Sequence, residues 1–157
     1  MSDLFAELPE PRLEPAFEVT VQVGPPRDHG ITSAGHRRVV PILGGRITGS
    51  LEAEILAGGS DRQLIASDGT IGIDAEYSAV AAAGPLLIRT RGVRRGAAEV
   101  LARLGRGQPV DPGAYYFRTT FEVEAAAPEF AELQGTLFVA VCRRDGSEVR
   151  YRVHRIV

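Results

Sequence analysis

The sequence predicts a mainly β protein, an antiparallel β-barrel of about eight or more strands with one short helix and one helical turn. Three observations carry this expectation. Apolar residues recur at every second position, as in Phe17, Val19, Val21 and Val23, the period of a strand with one buried face. Pairs such as Asp68-Gly69 and Asp145-Gly146 separate the apolar runs and favour tight hairpins. Only one stretch, 96–104, carries a convincing helical stripe. Strands and helices therefore do not alternate as a doubly wound nucleotide fold requires.

Residues 1–15 are net acidic and contain Pro9, Pro11 and Pro15. Proline lacks the N–H that regular structure needs, so this segment reads as an arm ahead of a single barrel domain spanning 16–157. The first strand, 17–23, sets its apolar face against Glu18, Thr20 and Gln22 and ends at Gly24-Pro25-Pro26. A loop with Asp28, His29 and Gly30 leads to a short strand at 38–43 and a turn at Gly44-Gly45. In the next strand, Ile47, Leu51, Ala53 and Ile55 alternate with Thr48, Ser50, Glu52 and Glu54. Further strands are predicted at 62–67, 71–80 and 86–93.

The helix follows, with Ala97, Val100, Leu101 and Leu104 on one stripe and Gly105 suited to end it. A strand at 115–124 precedes a helical turn begun by Pro128, anchored by Phe130 and Leu133, and closed by Gly135. Strands at 136–143 and 148–156 complete the chain. The run LFVAV at 137–141 is apolar on both faces, which predicts that the helix or a second subunit covers part of the barrel's outside.

The 157 residues include 20 acidic and 18 basic side chains, giving a net charge of -2. Every basic residue is Arg, so Schiff-base chemistry and a Walker-type phosphate loop are excluded. The single Cys142 rules out an intrachain disulfide and a CxxC pair. With no secretory leader and no apolar run of about 20 residues, the expected location is the cytoplasm, away from membranes. Arg89, Arg91, Arg94, Arg95, Arg103 and Arg106 form one basic stretch, and Arg143, Arg144, Arg150, Arg152 and Arg155 another. Lacking interleaved aromatics, they read as solvated strand faces and predict no nucleic-acid partner. The acidic arm can reach such a patch on a neighbouring subunit, so a homo-oligomer is expected.

GGRITG at 44–49, GGSDRQL at 58–64, DG at 68–69, DAEY at 74–77, YYFRTTFE at 115–122 and the closing RYRVHRIV together resemble the DUF3237 family, also called UPF0311. The resemblance extends over roughly residues 15–157 and implies a calycin-like β-barrel of largely unassigned function. Where GGADWQ is usual in that family, this chain reads GGSDRQ, with Arg62 at the place of a common Trp. An aromatic that stacked on a ligand or plugged the barrel would be missing here.

Asp61 follows Gly58-Gly59; it can serve the turn or, aimed into the barrel mouth, act as a general base. Asp68 before Gly69 reads as a turn carboxylate. Asp74 and Glu76 share one strand face about 7 Å apart, either solvated or, in a barrel with a partly polar interior, an acid/base couple. Tyr116 and Arg118 share a face with Glu122, opposite Phe117 and Phe121. They can polarise a carbonyl or, alternatively, sit in surface ion pairs. Tyr77 lies with Ile71 and Ile73, with its hydroxyl at a rim.

The catalytic candidates are thus Asp61, Tyr116, Arg118, Asp74 and Glu76; the ligand-contacting candidates are Arg62, Tyr77, Arg38 and Glu122. His29, His36 and His154 match no zinc spacing, Ser60 lacks a nucleophile elbow, and GGRITG opens a strand instead of the helix that a dinucleotide fingerprint needs. No metal and no cofactor is called for. These residues predict a barrel that encloses a small, mostly apolar organic ligand and carries out proton transfer of an isomerase, cyclase or lyase type. A non-catalytic carrier or sensor of a hydrophobic metabolite is the alternative.

Overall fold

A computed structural model describes residues 4–157; residues 1–3 of the expected arm lie outside the described residues. The strands run in chain order β1 (Leu13–Val23), β2 (Arg27–Thr32), β3 (Gly35–Gly49), β4 (Ala53–Ile55), β5 (Ser60–Ile65), β6 (Ile71–Ala81), β7 (Gly84–Gly96), β8 (Tyr115–Ala125), β9 (Phe138–Asp145) and β10 (Glu148–Ile156). Helix α1 (Ala98–Gly105) lies between β7 and β8, and α2 (Ala131–Gln134) follows a short 3-10 turn after β8. Among the described residues no helix is long and apolar enough to cross a membrane.

All pairings are antiparallel, and the sheet closes because the long β3 is shared. One edge of β3 pairs with β1, from Phe17↔Gly49 to Val23↔Ile42. Its other edge pairs with β5 over His36–Pro41 and with β4 over Gly45–Ile47, and both of these short strands then pair with β6. With β4 and β5 counted as one interrupted stave, the barrel has eight staves, and β2 is a hairpin flap on β3.

Three details depart from the sequence reading. Gly44-Gly45 does not turn the chain. At Gly45, φ is +144° and a Cβ would stand 2.1 Å from the Thr20 oxygen, so the glycine lets one continuous strand coil tightly against β1. The expected strand at 47–55 is instead broken, since the Ser50 N–H and hydroxyl both donate to the Ala16 oxygen and leave β4 only three residues. Strand β1 begins at Leu13, inside the expected arm, and accommodates Pro15 at a register shift before Phe17, where a missing ladder N–H is tolerated.

Period-two alternation sends one face of every stave inward, and the two ends of the interior differ. At one end Phe17 packs on Phe121 and Phe138 with ring centroids 5.1 and 5.4 Å apart, beside fully buried Ile47, Ile88 and Val153. Phe130, from the turn before α2, is buried and joins the same core. This end is solid. At the other end Val23, Val40, Ile42 and Phe117 surround a cavity, and α1 sits in the connection beside it with Leu104 buried. On the outside, Leu137 and Val141 of the doubly apolar run remain exposed.

Candidate functional site

The cavity at the open end has a volume of about 50 Å³, enough for one or two waters and far below the roughly 300 Å³ at which drug-sized pockets begin. Its walls are chiefly apolar, yet Asp61, Gln63, Arg94 and Arg144 project into it, with Tyr77 and Tyr151 lower down. Half-buried Asp61, Arg144 and Val149 mark the side that reaches solvent.

Asp61 and Gln63 face inward from β5 by simple alternation, while Arg62 between them is exposed. The β5–β6 ladder is interrupted between Asp61↔Ala75 and Leu64↔Gly72. There Asp61 Oδ1 accepts the Asp74 backbone N–H at 3.0 Å, so a side chain replaces a ladder acceptor. Its Oδ2 accepts from Gln63 Nε2 at 2.8 Å, and Gln63 Oε1 accepts from Arg38 Nε and Nη2 at 2.9 and 2.6 Å. Gln63 thus stands between the acid and the Arg38 guanidinium, and Asp61 has no direct ion pair among the described residues. Burial raises the Asp61 carboxyl above the usual aspartate value, against the lowering effects of these hydrogen bonds and of Arg94. A carboxylate kept basic in this way is suited to accept a proton.

Arg94, on β7, is 4% exposed. Its Nε has no hydrogen-bond partner, and its guanidinium forms no ion pair among the described residues. Its nearest aromatic partner is Phe117, whose ring centroid lies 5.8 Å from Cζ. Burial, reinforced by the charges of Arg144 and Arg38, pushes it down to about 10. Arg144, on β9, donates from Nε to the Gly146 oxygen at 2.5 Å, and burial lowers it as well, again with a contribution from Arg38. Three guanidiniums therefore surround one carboxylate.

Of the residues expected from sequence, Asp61, Tyr77 and Arg38 come together at this end of the barrel. Tyr77 is fully inside, not at a rim, where its hydroxyl and that of Tyr151 share a short hydrogen bond. Asp74 and Glu76 stand on the outer face of β6, and Asp74 pairs with Arg89 at 3.2 Å. Tyr116, Arg118 and Glu122 do not join Asp61. They occupy the outward positions of β8, because Tyr115, Phe117, Thr119 and Phe121 take the inward ones and the two sets cannot share a face. Tyr116 is exposed, with the Arg95 and Arg118 guanidiniums 4.5 and 5.0 Å from its ring centroid. Arg62 is exposed, so the departure from the common Trp alters the surface and leaves the cavity lining untouched. Asp68 accepts the Thr70 N–H at 2.9 Å in its turn.

Gln63 and Tyr151 are not singled out by the sequence, and Arg94 and Arg144, expected there on solvated strand faces, instead line the cavity, Arg94 buried and Arg144 half-buried. The signal was present: Leu86, Ile88, Thr90 and Arg94 have the same parity on β7, as do Phe138, Ala140, Cys142 and Arg144 on β9. Burial pushes the Cys142 thiol up to about 12, consistent with a small buried hydrophobe.

The tyrosine pair forms the floor between cavity and solid core. Tyr77→Phe or Tyr151→Phe alone is expected to destabilise the fold by about 1–3 kcal/mol, because each leaves the other hydroxyl buried without a partner. The double variant should cost no more than either single one. A double-mutant cycle in urea checks this, and additive losses would show that the hydroxyls are not coupled.

Residues 11–156 match the family described as protein of unknown function (DUF3237). A UPF0311 protein of Bradyrhizobium diazoefficiens is 34% identical over 142 residues, which cover 90% of this chain and 93% of that one. The crystal structure of a conserved protein of unknown function from Rhodopseudomonas palustris matches with a TM-score of 0.89 at 32% identity, over 96% of this chain and 99% of that one. A β-barrel-like protein from Acinetobacter baumannii matches at 0.83 and 36% identity with the same coverage. An enzyme from Penicillium herquei has the same fold, at a TM-score of 0.68 and 18% identity over 96% of this chain and 98% of that one.

Proposed function

The chain belongs to the DUF3237 family, and from that premise we propose that its barrel takes the reacting end of a small organic molecule into the open end and moves a proton on it, with Asp61 as the base. The observation that carries this reading is the state of Asp61: a carboxylate facing an apolar cavity, raised by burial and held away from Arg38 by Gln63. That the fold also occurs in a protein described as an enzyme supports catalysis on it.

The step balances with groups on this chain. Asp61 takes a proton from carbon next to a carbonyl, the C–H electron pair moves into the enolate, and negative charge develops on oxygen. Arg144, half-buried with Asp61 on the side that reaches solvent, stabilises that oxygen, the role the sequence suggests for Tyr116 and Arg118. The protonated Asp61 then returns the proton to a second carbon, giving isomerisation, or to a departing oxygen, giving elimination. A cavity of about 50 Å³ admits only a few heavy atoms, so the reacting carbon meets Asp61 on the side that reaches solvent and the rest of the molecule lies at the mouth.

A second reading is a non-catalytic carrier, favoured by the predominance of apolar side chains such as Val21, Val40, Ile42 and Ile73 in the lining. One experiment separates the two. The protein is incubated in D₂O with a panel of enolisable ketones and keto acids, and deuterium entry is followed by NMR. The proton-transfer reading expects deuterium at the carbon next to the carbonyl at a rate above buffer. Recovery of every bound compound unlabelled and unchanged would assign the barrel to carriage.

A further inference from the structure

We infer that the open end of the barrel recognises a carboxylate on its ligand, with Arg94 as the residue that receives it. The inference rests on the reading of this cavity as a ligand site and adds the chemical class of what enters.

A guanidinium removed from water without a counter-charge is costly, because protein interiors screen and solvate it poorly. Arg94 is in this condition: it is 4% exposed, its Nε is unpartnered and it faces the cavity. Asp61 relieves it only in part: its charge acts on the guanidinium, but the two form no ion pair among the described residues, and the Asp61 oxygens accept from Gln63 and the Asp74 N–H. Arg38 uses Nε and Nη2 on Gln63, and Arg144 uses Nε on Gly146. Of the charged side chains that line the cavity, Arg94 and Arg144 stand against Asp61 alone, while Asp28, which acts on Arg38, is engaged by His36 and Asp74 by Arg89, so the lining carries excess positive charge. Burial first, and then the like charges of the neighbouring guanidiniums, lower both Arg94 and Arg144.

A bound anion reverses each of these costs. A planar carboxylate matches the fork of a guanidinium with two parallel hydrogen bonds. It also matches the space, since three heavy atoms suit a cavity of about 50 Å³ better than the five of a phosphate. The apolar wall of Val40, Ile42 and Phe117 then meets the first carbons of the chain behind it.

The test titrates the full-length protein with acetate, propanoate and butanoate, each against its primary amide, and follows the Arg94 Nε–H resonance in ¹⁵N spectra. The carboxylates should shift that resonance saturably and bind at least about 10-fold tighter than the matching amides, a difference of about 1.4 kcal/mol. Arg94→Gln should abolish the preference, whereas Arg91→Gln, on the outer face, should retain it. Because the titration of the unaltered protein stands alone, the test survives a variant that fails to fold. Amides binding as tightly as acids, a preference that outlasts Arg94→Gln, or binding of inorganic phosphate without carboxylates would each overturn the inference. In the first case the cavity still binds ligands and the proton-transfer reading stands; absence of saturable binding by acids and amides alike, with no deuterium entry into any ketone, removes both.

Discussion

Asp61→Asn is expected to lower deuterium exchange into any substrate by at least about 100-fold, the smaller end of what a positioned base contributes, and at the same time to make the protein more stable at pH 7. The second effect separates a catalytic acid from a structural one. Burial raises the folded-state pKa of Asp61 above 3.8, so between the unfolded and folded values the native state binds the proton more strongly. The stability this group contributes is complete below the unfolded value and is lost as pH rises through the folded one. Asn removes that loss and still offers an oxygen to the Asp74 N–H, while its NH₂ meets the Gln63 Nε2 donor and gives up that hydrogen bond, a cost of about 1 kcal/mol that is the same at every pH. The stability difference between variant and parent should therefore grow as pH rises from about 3 to 7, by about 1.4 kcal/mol for each unit of pKa elevation. The charges acting on Asp61 are Arg94 from β7, Asp74 from β6, Arg38 from β3 and Arg144 from β9; if the arginines dominated over burial, the difference would change sign. Thermal unfolding of both proteins across that range decides it. A variant that is less stable at pH 7 and fully active would assign Asp61 to holding β5 against β6.

The staves were legible because alternation is written residue by residue, and parity alone assigns each side chain to the inside or the outside. Where burial does not drive the pairing, the signal is absent. Strand β2 has its residues largely exposed and is held by the ladder to β3 and by Asp28, which accepts from the Gly30 N–H and pairs with His36, so nothing in its composition marks it as a strand. Glycine pairs were ambiguous for a different reason. Gly69 turns a hairpin with φ +86° and Gly45 bends a continuous strand with φ +144°, and only the partner strand distinguishes the two uses.

The site was half legible. The GGSDRQ segment drew attention to Asp61, and the same parity that put Phe117 and Phe121 inside also put Tyr116 and Arg118 outside. Arg94 and Arg144 read as solvated strand-face residues because arginine is rarely buried without a partner. At these two positions parity and residue type point in opposite directions, and the side chains follow parity.

Phe121→Ala should cost about 3–5 kcal/mol of folding stability, the range for emptying a large aromatic site in a packed core. Phe121 is 1% exposed, lies 5.1 Å from the Phe17 ring and 6.1 Å from that of Tyr151, and shares its end of the barrel with Phe138 and Val153. Collapse into the vacancy is restricted, because these neighbours project from β1, β9 and β10, which are joined to one another and to β8 by antiparallel ladders. Carboxylate affinity at the open end should change little, since Tyr77 and Tyr151 stand between the vacancy and Arg94. Urea unfolding gives the first quantity and the Arg94 titration the second. A loss below about 1 kcal/mol would mean that this end is not packed as described. A large loss of affinity in a variant that still folds would mean that the tyrosine floor does not separate the halves, so that the solid end of the barrel helps to hold the arginines in place.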